Sequence, residues 1–536
     1  MKNSVVLIIL DGWGIGEKNE KTNPFVLAKT PAFDYIERYF PAGTLQSAGI
    51  SVGLAWNEPG NSEVSHLNIG AGRILYQNFP KISMAIKDGS FFENKVLNEF
   101  YEKIKTKQSS LHLLGLLSSA HTHSAYWHLI SLIRLAKEKG LTEVYLHLFG
   151  DGRDGPKRES IKLLKKLQED LKNIGIGKIA SFSGRDFAMN RTQQWEKTKK
   201  VYQLIVEGVG KTTDNLPGYI QKAYKQGLND NNVEPVLVAQ EGKIKTVQEE
   251  DGVFFFNFKE ERMRQLFLSF VSKEFKFFER KIVPKIYVAT IVKYLKGVAA
   301  PFAFKPIESV KNTLSEILAK NNRVQLKIAE TEKYPFVTYF LNGLKDEPFF
   351  GEGRILIPSL LPHQFEKQPE LRAPEITQRA MQALDESVYD LIVINYANAD
   401  LIGKTGSFQA AIKTIEVIDQ QIGSFLKRAL KEDHIFIISG DHGNIERLRS
   451  PFTGEKETKN TTNPVPIYLV GKKFAKPKRQ SFSHFHAPET ASGMLIDITA
   501  TILDLLNIHP PPEITGQTLV DVLYELSTQK YCYKLK

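Results

Sequence analysis

Short apolar runs rich in β-branched and aromatic residues recur along the whole chain, and a segment of helical period follows most of them. The runs lie at 5–10 (VVLIIL), 112–117, 144–149, 178–183, 253–258, 285–292, 324–329, 390–395, 434–439 and 466–470. Between them, segments such as HLISLIRLAKEKG, RTQQWEKTKKVYQLIVEG, FQAAIKTIEVIDQQIGSFLKRALKE and LIDITATILDLLNI place apolar residues at helical spacing. Alternation of this kind predicts an α/β protein with mostly parallel sheets.

In such sheets, polar residues just past the carboxyl ends of strands face the ligand crevice. Asp11 follows the first run, Asp151, Arg153 and Asp154 follow 144–149, Arg185 follows 178–183, Asp400 lies beyond 390–395, and Asp441 with His442 follows 434–439. Any one of these alone reads as a helix N-cap or turn residue. Their recurrence at strand ends points to a site. The stretch PGNSEVSHLNIGAGR at 59–73 sets Ser62 in a glycine-broken turn, and a serine hydroxyl needs a base or a metal ion to become a nucleophile.

These candidates sort along the chain by chemistry. Residues 1–75 and 310–536 contribute Asp11, Ser62, Asp400, Asp441 and His442, oxygen and imidazole donors suited to Mn, Mg or Zn. Residues 76–309 contribute His123, Arg153, Arg185, Arg191, Lys259, Arg262 and Arg264, suited to carboxylate and phosphate. The expectation is a discontinuous metal-binding domain, interrupted by an anion-binding domain, with the substrate between them. Linkers are expected near 75–80 and 297–306.

At 536 residues, with 42% hydrophobic and 24% charged, the chain has the size and balance of a soluble globular protein of more than one domain. Its net charge of +11 admits nucleic acid, but zinc-finger spacing and RNP-like aromatic motifs are missing, and lysine-rich helices account for the charge. The apolar run at 5–10 stops at Asp11-Gly12, which favours a buried strand over a signal peptide, and no apolar stretch approaches bilayer length. The single cysteine, Cys532, excludes an intrachain disulfide. A cytoplasmic protein without nucleic-acid or membrane partners is expected, and a monomer.

Seven motifs in collinear order, LDGWG (10–14), GNSEVSHLNIGAGR (60–73), DGRD (151–154), SGRDFAMNR (183–191), AETEKY (329–334), SGDHGN (439–444) and TTNPVP (461–466), resemble those of the cofactor-independent phosphoglycerate mutases of the alkaline phosphatase superfamily. The resemblance implies an alkaline-phosphatase-like three-layer metal domain carrying an inserted α/β substrate domain. It implies that Ser62 takes the phosphoryl group of 3-phosphoglycerate and returns it to the 2-hydroxyl of the retained glycerate. Asp11, Asp441 and His442 would hold the metal at Ser62, and Lys333 would neutralise charge on the moving phosphoryl group. His123, Arg153, Asp154, Arg185, Arg191, Lys259 and Arg262 would hold this small phosphorylated hydroxy acid, Asp154 also carrying a proton at its hydroxyls.

The family's second metal takes an aspartate, a histidine four residues on and a histidine before TTNPVP. Here those positions read Asp400, Lys404 and Asn460. A protonated lysine has no lone pair and an amide carbonyl is a weak ligand, so one divalent ion, expected to be Mn, is predicted in place of two. Two readings of Lys404 stand: its ammonium takes the second metal's place beside Asp400, or it is a loop lysine on a decayed site. His484 and His486 are alternative ligands. Lesser departures are Ser118-Ser119-Ala120, Asn190, Thr192, Lys259 for an arginine, and Glu457 for a histidine. The alternatives to a mutase are a one-metal phosphohydrolase and a weakened, substrate-binding member of the family.

Overall fold

A computed structural model describes residues 3–283, 285–475, 485 and 491–528; His484, His486 and Cys532 lie outside the described residues. The chain divides into two compact units, Met1–Tyr76 with Ile307–Lys536, and Gln77–Pro306. All ten apolar runs become strands. Each unit is built on one eight-stranded sheet.

In the first unit the order is Glu352–Ile357, Gln325–Glu330, Leu391–Tyr396, Val5–Leu10, Ile435–Gly440, Val465–Val470, Ala42–Gln46 and Gly493–Met494. The first five strands run parallel, whereas Val465–Val470 is antiparallel to both its neighbours. The sheet is therefore mixed. Val5–Leu10 is buried at every position, which is why its sequence is a continuous apolar run without alternation.

Register in this sheet builds the site. Leu10 pairs with Tyr396 on one side and with Gly440 on the other, so Asp11, Asp400 and the Asp441–His442 pair leave the sheet along one edge. Gly12 lets the turn after Val5–Leu10 touch the helix Asn398–Thr405. It has φ of +80°, and a Cβ there would lie 2.6 Å from the Asp400 backbone, while Asp400 N–H donates to Asp11 C=O at 2.8 Å.

The second unit orders its strands Phe302–Phe304, Tyr287–Val292, Gly252–Phe255, Leu111–Leu117, Val144–Gly150, Lys178–Gly184, Val236–Val238 and Lys211–Thr213, with only the pair Lys178–Gly184 and Val236–Val238 antiparallel. Leu117 pairs with Gly150 and Gly150 with Gly184, which brings Ser118, Asp151 and Arg185 to one edge. The strand expected over 253–258 stops at Phe255, because beyond it Asn257 turns its side-chain carbonyl to Leu116 N–H. Among the described residues no helix is long and apolar enough to cross a membrane.

Candidate active site

Ser62 opens the helix Ser62–Ala71. Asn61 caps it, its Oδ1 accepting from Val64 N–H at 3.0 Å, and Gly72 ends it in the left-handed conformation. A hydroxyl on the first residue of a helix sits at the positive end of the helix dipole, where negative charge is stabilised.

Three groups meet the Ser62 hydroxyl. Ser62 Oγ is 2.9 Å from Asp11 Oδ1, 3.1 Å from His442 Nε2 and 2.9 Å from Lys333 Nζ. The Lys333 ammonium also donates to Asp11 Oδ1 at 2.7 Å and Asp400 Oδ2 at 2.6 Å. All of these side chains are buried. A cavity of about 440 Å³ opens over them, lined by Ser62, Lys333, Phe336, Asp400, Lys404 and Asn460.

Burial works to raise Asp11, but Lys333 and His442 overcome it and hold the carboxyl well below its usual range. Lys333 moves up, burial opposing and Asp11 and Asp400 prevailing. His442 rises to about 9 against burial because Asp441 and Asp11 face it, and Asp441 is pushed up to about 7 by burial and by Asp11. Three buried carboxyl groups thus face the Lys333 ammonium and the His442 imidazolium.

The donors fit a divalent ion. Ser62 Oγ to Asp11, Ser62 Oγ to His442, His442 to Asp11 and His442 to Asp441 Oδ2 measure 2.9, 3.1, 3.5 and 3.7 Å. Ligands of one four-coordinate ion with bonds of about 2.1 Å stand roughly 3.4 Å apart. Asp441 spends Oδ1 on the N–H groups of Gly12 and His442, while its buried Oδ2 makes no hydrogen bond. Two overlapping acidic clusters share Asp11: one adds His66 and Asp441, the other Asp400 and His442.

The Asp400 side differs. Lys404 lies on the helix Asn398–Thr405 and not on a loop, and its spacing from Asp400 puts both on one helix face. Its ammonium meets Asp400 Oδ2 at 2.6 Å with the side chain half exposed. Asn460 faces neither. Its Oδ1 accepts from Asn444 Nδ2 at 3.1 Å and its Nδ2 donates to Gly60 C=O at 2.8 Å, tying the serine turn to the 439–444 loop. Of the polar side-chain atoms of these three residues, Asp400 Oδ1 is buried without a hydrogen bond.

In the second unit, buried Arg185 organises a cluster that reaches from the buried Asp151 and His123 to the more exposed Asp154. Its Nη1 bridges Asp151 and Asp154, reaching Asp154 Oδ2 at 2.6 Å, and its Nη2 meets His123 Nε2 at 3.0 Å. Asp151 shapes the loop by accepting from the N–H groups of Arg153, Asp154 and Gly155 and from Ser118 Oγ. Burial, then Arg185, pushes His123 down to about 4, with Lys259 and Arg262 adding to the effect, so it is neutral at pH 7. Arg262 is lowered by burial and by Arg185, Arg191 and Arg153, a set of cations that a bound anion would relieve. Arg191 pairs with Glu261 at 3.0 Å. Arg264 is turned to Glu260 and the Tyr294 carbonyl, away from this set.

Sequence reasoning passed over His66 and Asn395, both fully buried beside Asp11. The signals were present: His66 is four residues after Ser62 on the same helix face, and Asn395 interrupts an otherwise apolar strand.

A serine held at a strand-end edge by carboxylates, an imidazole and an ammonium defines an α/β enzyme of the metal-dependent phosphoryl-transfer kind. Residues 82–296 match the family model of the BPG-independent PGAM N-terminus. The chain is 42% identical over 523 residues to the 2,3-bisphosphoglycerate-independent phosphoglycerate mutase of Clostridium botulinum (strain ATCC 19397 / Type A), covering 97% of this chain and 99% of that protein. It is 40% identical over 521 residues to the enzyme of the same name from Clostridioides difficile (strain 630), with 97% and 99% covered. The crystal structure of Leishmania mexicana phosphoglycerate mutase at low cobalt concentration superposes with a TM-score of 0.57 at 26% identity, covering 96% of this chain and 97% of that one. This chain belongs to the 2,3-bisphosphoglycerate-independent phosphoglycerate mutases, a family of metal-binding isomerases.

Proposed function

We propose that the protein interconverts 3-phosphoglycerate and 2-phosphoglycerate through a phosphoserine at Ser62, with one divalent ion per chain, Mn being the favoured metal. The observation that carries this reading is the meeting of Asp11, His442 and Lys333 on the Ser62 hydroxyl. Asp11, Asp441 and His442 would hold the ion with Ser62 as fourth donor. When bound, it supplies the charge that lets the hydroxyl ionise near neutral pH.

Ser62 Oγ then attacks phosphorus. The bond from phosphorus to the substrate's 3-oxygen breaks, Asp154 relays the proton of the glycerate 2-hydroxyl to that oxygen, and the 2-oxygen attacks the phosphoserine, releasing Ser62 Oγ. The Lys333 ammonium lies against the Ser62 oxygen, where a positioned cation offsets charge on the transferring group. His123, Arg153, Arg185, Arg191, Lys259 and Arg262 are assigned the carboxylate and hydroxyls of the glycerate; retaining it separates a mutase from a phosphatase. Lys404 gives Asp400 a second ammonium in place of a second ion. A cytoplasmic monomer acting on this small anion, without nucleic-acid or membrane partners, completes the reading.

Labelled 3-phosphoglycerate should leave label on Ser62 of the wild type and none on S62A, with 2-phosphoglycerate formed and little inorganic phosphate released. Phosphate without isomer would make the protein a phosphohydrolase, and an unlabelled wild type under saturating Mn would leave a binding protein. Two equivalents of metal by elemental analysis would refute the role of Lys404.

A further inference from the structure

His66 lies in one of the two acidic clusters and so offers itself as an ion ligand. Its hydrogen bonds say otherwise. Asn395 Nδ2 stands 2.9 Å from Asp11 Oδ2 and 2.9 Å from His66 Nε2. An amide nitrogen only donates, and the opposite amide orientation would set a carbonyl oxygen against the Asp11 carboxylate, so the donor assignment is fixed. His66 Nε2 therefore accepts, and the remaining ring proton is on Nδ1, which donates to Ser62 C=O at 2.8 Å. Asp441 Oδ2, at 3.5 Å from the same Nδ1, is the more distant acceptor.

Both ring nitrogens are thus occupied, and the result is a continuous buried chain from Asp11 through Asn395 and His66 to the carbonyl of Ser62. We propose that Asn395 and His66 are positioning residues, and that His66 does not bind the ion. This rests on the reading of Asp11 as an ion ligand and Ser62 as nucleophile. Asp11 has one oxygen for Ser62 and Lys333 and the other for Asn395. The Asn395 bond keeps the carboxylate from turning so that Oδ1 stays on the nucleophile. The His66 bond holds the first turn of the nucleophile's helix to the same strand. Outer partners of metal ligands act in this way elsewhere, orienting a ligand without touching the ion.

The test uses the full-length protein loaded with Co²⁺, in wild type, H66Q, N395A and the double variant. Counting nitrogen donors by X-ray absorption should give one, from His442, in wild type and H66Q alike. Each single variant should lose roughly 10- to 100-fold in kcat with KM within about twofold. The double variant should fall no further than the worse single one, since both break the same chain. A nitrogen donor lost in H66Q, losses that multiply in the double variant, or wild-type kcat in N395A would each overturn the proposal. If N395A does not fold, N395S replaces it with the same expectations. Wild-type protein that binds no Co²⁺ would instead overturn the underlying reading of the site.

Discussion

Removing the buried ammonium at the centre, K333M, separates what the lysine does for the fold from what it does for the reaction. Lys333 is 3% exposed and contacts two carboxylates that are fully buried, Asp11 at 2.7 Å and Asp400 at 2.6 Å. Breaking a buried pair by deleting one partner costs about 3–5 kcal/mol, because the other charge is left behind. The lower end is expected, since Asp400 keeps Lys404 and Asp11 keeps Asn395 and Ser62. Against a total stability of roughly 5–15 kcal/mol this is a large loss. It should be greatest in protein stripped of metal, and a bound divalent ion, adding charge at the same centre, should recover more stability in K333M than in wild type. D400N in the K333M background removes one of the two carboxylates left behind, so it should restore part of the stability of the metal-free protein. It should not restore the rate, which is expected to stay down by about 10²–10³-fold, the usual cost of losing one positioned charge donor. Calorimetry of the three proteins with chelator and with Mn, beside coupled assays of mutase activity, reads all of this. K333M as stable as wild type without metal, or D400N lowering its stability further, would refute the charge argument.

In the second unit His123 is held at about 4 and His128 at about 3, burial being the main cause in both. The unfolded chain binds more protons below its ordinary 6.5, so stability should fall as pH drops from about 6.5 toward 4 for His123 and toward 3 for His128, by roughly 3–5 kcal/mol per residue; urea midpoints across that range should show it, with H128L flattening the slope. At Gly60 a Cβ would sit 2.0 Å from the Ser47 carbonyl oxygen, so G60A should lower Tm by an amount worth about 1–3 kcal/mol and depress kcat by shifting the Ser62 turn. The double variant K404H/N460H should raise bound Mn from about one to about two per chain by elemental analysis, and a count that stays at one would refute the account of Lys404.

The α/β class and all ten buried strands are legible in the sequence because strands covered on both faces are nearly continuous apolar runs. What the pattern does not carry are the strands Ala42–Gln46, Glu352–Ile357, Val236–Val238, Lys211–Thr213, Phe302–Phe304 and Gly493–Met494, which are short or carry polar residues and glycine. They are held by pairing with partner strands, and no local signal marks them. The mixed character of both sheets comes from two strands with antiparallel pairings. Neither Val465–Val470 nor Val236–Val238 announces its direction.

At the site, residue types are readable and bonds are not. Asp400 and Lys404 can be placed on one face from their spacing alone, yet only the structure puts both Lys333 and Lys404 on the same oxygen of Asp400. Asn460 reads as a missing ligand in the sequence, whereas in the fold its amide is a strut between the Ser62 turn and the loop that carries Asp441. These two facts bear on each other. An asparagine committed on both its ends is not free to follow an ion. A carboxylate that already shares one oxygen between two ammoniums has little further charge to offer a divalent cation, whose desolvation demands several good anionic or imidazole donors. On the Ser62 side the balance is opposite: Asp441 keeps an oxygen with no hydrogen bond, His442 keeps Nε2 against the hydroxyl, and Asp11 is held by burial-defying neighbours in its charged form. Asp400 keeps one such oxygen too, so the difference lies in the two ammoniums on its other oxygen, and that supports the proposed stoichiometry of one ion, at Ser62.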